Sequence, residues 1–254
     1  MKPPRFFFIM ILIIGLGCKS QTSITRIEIV QPTLEHEATS IWRTINDIKF
    51  LESQGYKIHL PKDTLIDSLI IKSKNGDFGN DHYSSIYELL ETKIFNRKDY
   101  NEAILKVNQQ TTLINQLITE IDTSKNNWDW DFNMFNKYQV LLTLYGTGGS
   151  YDPEIGTIIL LTDTEGKFKM YKNPANTIIH EITHMGMEYS LVKKFNLSHS
   201  LKERLVDTFV YLKFKDDLPQ YRIQNMGDTS LDTYLKKKED IVSLNAILIE
   251  FMKK

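Results

Sequence analysis

The stretch His180-Glu181-Ile182-Thr183-His184 carries two imidazoles four residues apart with a carboxylate between them. On an α-helix that spacing puts both rings on one face, about 6 Å apart along the axis, where they can ligate one metal ion. Glu181 lies about 100° round from His180, beside that face. From there it can reach a water on the metal and act as a general base. The neighbouring Ile178, Ile179, Ile182, Met185 and Met187 are apolar, so the polar residues are set into an otherwise buried helix. Burying two histidines and a glutamate without partners is costly. A catalytic zinc takes three protein ligands and keeps a fourth position open, so this reading demands a third ligand.

Glu188 is a poor candidate, because it lies eight residues past His180, about 12 Å along the same helix. Met187 and Ser190 stand where a metzincin has Gly and His, which excludes that class. The next candidate is Glu203 in "SLKERLVDTF", nineteen residues after His184 (203 − 184), with Asp207 one helical turn beyond it. His199 is the other possible third ligand.

The order "HEITH" then "ERLVD", within residues 176–207, resembles the gluzincins, the thermolysin-like zinc metallopeptidases. The resemblance implies one Zn2+ per chain, held by His180, His184 and Glu203, with Glu181 as the base. It makes Asp207 the partner that orients the first histidine, a role metal-bound histidines usually require. The implied reaction is peptide-bond hydrolysis by a zinc-activated water, with a peptide or protein as substrate. In that clan a His or Tyr stabilises the oxyanion; His199, Tyr189, Tyr211 and Tyr221 are the candidates. An edge strand above the metal pairs with extended substrate, and "GTIILL", residues 156–161, is the candidate for it. The loop "YGTGGSYD" is a candidate border of the cleft. Two other readings stay open. One is a non-catalytic cell-envelope lipoprotein with a structural metal or none, although structural zinc is usually closed by four ligands, often Cys. The other is a zinc hydrolase of a non-peptide amide or ester.

The elements that must position these residues are mostly helical. "TRIEIV" alternates and predicts a short strand. Ile41, Ile45, Ile48 and Leu51 recur at helical spacing up to a stop at Gly55. Helices are predicted for "LPKDTLIDSLIIKS", "SSIYELLETKIF" and "DYNEAILKVNQQTTLINQLITEI", the last with Ile104, Val107, Leu113, Leu117 and Ile121 as a packing stripe. After the aromatic "WDWDFNMF", "YQVLLTLYG" reads as a buried strand and "TGGSYDPEIG" as a Gly/Pro loop. "TIILLTDTEGKFKMY" reads as two strands around a turn at residues 163–166. Asn173-Pro174 caps the helix of the HEITH motif. Two more helices are predicted, near residues 200–213 and from about 230 to the end. The fold class is α+β: a predominantly helical, zincin-like domain with a small sheet before the active-site helix. A mainly helical region, 25–125, precedes the zincin-like region, 126–254, and the two can form one continuous domain.

The chain of 254 residues is 41% apolar and 25% charged, enough for one large domain. A formal net charge of -1 without a clustered basic surface speaks against nucleic acid as a partner. "MKPPRFFFIMILIIGLGC" opens with Lys2 and Arg5, followed by an apolar run too short to span a bilayer. It ends at Cys18, the only cysteine. This resembles the lipobox of bacterial lipoproteins, with Gly15 where Leu is usual. It implies a signal peptide over 1–17, lipidation of Cys18 and a polar tether over 18–24. The protein is then expected in the bacterial cell envelope, periplasmic or surface-facing, held to a membrane by the lipid.

Overall fold

The computed structural model describes residues 26–225 and 227–253. Cys18 and its flanking segment lie outside them. Helices α1 (Leu34–Asn46), α2 (Ile48–Ser53), α3 (Thr64–Asn75) and α4 (Tyr83–Leu89) come first, after a short strand β1 (Ile27–Ile29). The predicted helix up to Gly55 is broken at Asp47, which ends α1 and begins α2. Helix α3 starts three residues after Pro61, because Asp63 accepts the Leu65 N–H at 2.9 Å and is the cap. Ala38, Ile41, Ile45, Ile66, Leu69, Ile86, Leu89 and Leu90 close a first core among these helices.

Helix α5 (Asn101–Ser124) is the longest element among the described residues. It buries Val107, Leu117 and Ile121 of the predicted stripe, while Ile104 and Leu113 are partly buried. These side chains join the second core, together with the sheet and the helices that follow. Residues 101–124 therefore pack with 126–254, although the sequence groups them with the N-terminal region.

The sheet has four strands in the order β1-β2-β4-β3, where β2 is Tyr138–Thr143, β3 is Gly149–Asp152 and β4 is Thr157–Leu161. Strands β1, β2 and β4 run parallel; β3 is antiparallel to β4, with Gly149 opposite Leu160. Two expectations are corrected here. "TIILL" is the interior strand β4, paired on both sides, so it cannot be the edge. The edge is β3, drawn from the segment read as a Gly/Pro loop. The predicted hairpin around residues 163–166 has its turn, with Gly166 at φ +66, but no second strand follows it. The antiparallel partner of β4 lies before it in the chain, not after.

Helix α6 (Pro174–Met187) packs on α5, β3 and β4, and α7 (His199–Phe214) packs on α6. Asn173 accepts the Ala175 N–H at 2.9 Å and Pro174 fills the first turn, so α6 starts where the sequence predicts. Every residue of α6 is buried, which makes it a core helix and not a surface one. Gly186 is required there: a Cβ would lie 2.1 Å from the Phe132 ring. Phe132 in turn packs on Trp130 and on Phe209 of α7, so the aromatic segment wedges both helices in place. The chain ends in short 3₁₀ turns and α8 (Leu244–Phe251), where one continuous helix was expected.

Candidate metal centre

Helix α6 presents His180 and His184 on one face, and their Nε2 atoms lie 3.0 Å apart. Helix α7 brings Glu203 up to them, with Oε2 at 3.7 Å from His180 Nε2 and 3.4 Å from His184 Nε2. Ligands about 2.0–2.2 Å from a tetrahedral zinc sit roughly 3.3 Å from one another. The three atoms therefore converge as a metal would require, and the group His180, His184 and Glu203 can hold a metal ion. His199 falls elsewhere: its Nδ1 is 3.8 Å from Glu203 Oε1, the oxygen turned away from the histidines.

The two histidines are held differently. His180 Nδ1 is 2.7 Å from the Tyr221 hydroxyl, which donates to Asp207 Oδ1 at 2.8 Å. Asp207 Oδ1 also lies 3.3 Å from His180 Nδ1, and Oδ2 accepts the Gln224 N–H at 2.8 Å. The expected orienting role of Asp207 thus includes Tyr221, offered by the sequence only as an oxyanion candidate and placed here behind the ring. His184 is fixed by stacking on Tyr151 of β3, with ring centroids 5.0 Å apart and planes 8° from parallel.

Burial raises the cost of every charge in this group, and the neighbours decide which charges survive. For His180, burial opposes the charged ring, but hydrogen bonds to Asp207 and Glu203 outweigh it and push the pKa up to about 10. Burial drives His184 down to about 4. Two nitrogens 3.0 Å apart share room for one proton, and the Asp207 carboxylate assigns the charge to His180. Burial also works against ionised Glu203, yet the facing His184 and His180 hold it well below the usual carboxylate range. Glu181, buried without a hydrogen-bond donor among the described residues, is pushed up to about 7 by desolvation.

A cleft of about 650 Å³ opens over these groups. Its lining includes His180, Glu181, His184 and Glu203. Strand β3 forms one wall so closely that a Cβ on Gly149 would lie 2.2 Å from Glu181 Oε1. The segment "YGTGGSYD" does border the cleft, as part of a strand. The opposite lip comes from residues 54–57 after α2, where the Tyr56 hydroxyl is 2.9 Å from His199 Nε2. Of the oxyanion candidates only His199 lines the cleft; Tyr189 bonds Glu154 at the surface, and Tyr211 packs against the core. Tyr56, Tyr151 and Lys202 are cleft residues that spacing does not single out; only Lys202, beside Glu203, carried a local signal. Comparison of the chain with family models, with curated proteins and with solved structures finds no match.

Proposed function

We propose that this protein is a zinc-dependent metallopeptidase. The observation that carries the reading is the convergence of His180 Nε2, His184 Nε2 and Glu203 Oε2 at tetrahedral spacing on the floor of an open cleft. Two imidazoles and a carboxylate suit zinc, which would take the place of the proton on His180, and three ligands leave a position open. Zinc bound there supplies Lewis acidity, polarising a carbonyl and acidifying water. Glu181 is the general base: its carboxylate lines the cleft beside the ligands, free to take a proton from the attacking water and deliver it to the leaving amine. Asp207 and Tyr221 hold His180 in its ligating orientation. Edge strand β3 offers an unpaired side to an extended peptide.

The test is turnover of a mixed peptide library by zinc-loaded wild type and Glu181→Gln protein. Glu181→Gln should retain zinc and lose turnover by about 10²–10⁴-fold, the range for a positioned acid or base. Equal hydrolysis by both removes Glu181 from the mechanism, and no hydrolysis by zinc-loaded wild type removes the peptidase reading.

We also propose attachment to the cell envelope through lipid on Cys18. Among the described residues no helix is long and apolar enough to cross a membrane. Cys18→Ser should move the protein from the membrane to the soluble fraction; unchanged fractionation contradicts the anchor.

A further inference from the structure

Lys202, in the first turn of α7, puts an ammonium into the cleft next to the candidate metal ligands. Its side chain is only 20% exposed. Its nearest polar neighbour is the Tyr151 hydroxyl at 3.4 Å, and that hydroxyl spends its own proton on Glu188 Oε2 at 3.0 Å. The closest carboxylate oxygen is Glu203 Oε1 at 3.9 Å, beyond hydrogen-bond range and shared with His199 Nδ1 at 3.8 Å. One of its three N–H donors thus has only a long bond to the Tyr151 oxygen, and among the described residues the other two have no acceptor within hydrogen-bond range. A divalent ion held by Glu203 Oε2 would neutralise the carboxylate closest to Lys202. Glu188 does not replace it, since Tyr151 caps it and Lys193 lies 3.9 Å away. The other cation of the cleft, Lys57, stands on the opposite lip.

Resting on the peptidase reading, we infer that Lys202 receives a carboxylate of the substrate, so that the preferred peptides carry a negative charge close to the bond that is cut. That carboxylate comes either from a free C-terminus or from an Asp or Glu side chain. Both present the same planar pair of acceptors to an ammonium. A cleft of about 650 Å³ fits a few residues and not a folded domain. Lys202 is thereby a specificity residue, distinct from the groups that act on the scissile bond.

The experiment compares zinc-loaded wild type, Lys202→Gln and Lys202→Arg on two peptide pairs. One pair has a free C-terminal acid or its amide; the other is amidated, with internal Glu or Gln. Binding of the same peptides to the Glu181→Gln protein is measured by calorimetry, independently of turnover. Wild type should favour the acid or the Glu peptide by about tenfold or more in kcat/KM and in affinity, the scale of a hydrogen bond to a charged group. The favoured pair identifies the source. Lys202→Gln should bring that ratio near one, and Lys202→Arg should restore most of it. Hydrolysis of both members of each pair with ratios that Lys202→Gln leaves unchanged overturns the inference and spares the peptidase. Lys202-dependent binding of the acid without hydrolysis by wild type keeps the carboxylate site and overturns the peptidase. Neither binding nor hydrolysis overturns both.

Discussion

Two buried carboxylate clusters stand at opposite ends of the sheet's concerns, and only one is built for an ion. Glu37 of α1 is 0% exposed, yet it meets neutral donors alone: the Tyr100 hydroxyl, the Leu144 N–H at 2.9 Å and the Thr143 hydroxyl at 2.7 Å. These tie the N-terminal helices to β2 and to the turn before α5, and each of the three donors has an acceptor. In the cluster on α6 and α7, two imidazole nitrogens and a carboxylate oxygen lie within 4.8 Å of one another, and the two nitrogens have room for only one proton between them. Burial is common to both. What separates a brace from a site is whether the inward-facing acceptors each have a donor of their own. Where they do, the cluster holds structure together; where they do not, it calls for a cation.

That contrast can be broken at either end. Glu37→Ala strands two buried donors, the Tyr100 hydroxyl and the Leu144 N–H, and should cost on the order of 3 kcal/mol of stability, read by denaturant unfolding. Its zinc content should not change; a loss of zinc would join the two clusters into one. Gly149→Ala sets a methyl against Glu181 Oε1. Turnover should drop by up to about 10²-fold with zinc retained, the scale for misplacing a reacting group by an ångström. Full activity in that variant would mean β3 does not constrain Glu181. Asp207→Asn should weaken zinc affinity about 10–100-fold in a chelator competition, as loss of a ligand's orienting partner does. An unchanged affinity would reduce Asp207 to packing.

The smallest effect concerns pH. Burial raises the Glu37 carboxyl above its ordinary value. The Thr143 hydroxyl faces both Glu37 Oε2 and the Tyr145 carbonyl at 3.0 Å, two acceptors for one proton. A protonated Glu37 supplies the missing one. With the folded pKa above the unfolded one, the stabilisation is complete below about pH 4.3 and is lost as pH rises through the raised value. Glu37→Gln, which keeps a donor at that position, should flatten this part of the stability curve. A slope identical to wild type would assign it to another group.

The site's main chemistry is legible in the sequence because it depends on helical periodicity. His180, Glu181 and His184 are fixed by one helix, and Glu203 and Asp207 by the next; spacing aligns the members of each helix, and the family resemblance is what joins the two sets. The apolar positions Ile178, Ile179, Ile182, Met185 and Met187 are buried as expected. What escapes is whatever depends on contact between distant segments. Tyr56 reaches His199 across 143 positions, and Tyr221 reaches His180 from a stretch without regular structure. Strand β3 escapes for a different reason. Gly149, which reads as part of a loop, is there because the backbone must pass within touching distance of Glu181. Glu37 looks like an ordinary polar helix residue, and only the fold buries it.

The central claim is that His180, His184 and Glu203 hold one zinc ion. Elemental analysis of the purified wild-type chain beside Glu203→Ala tests it most directly. Close to one zinc per chain in the wild type, and far less in the variant, is the expected result. Equal zinc in both would strike Glu203 from the ligands, and no zinc in either after reloading would contradict the metal centre itself.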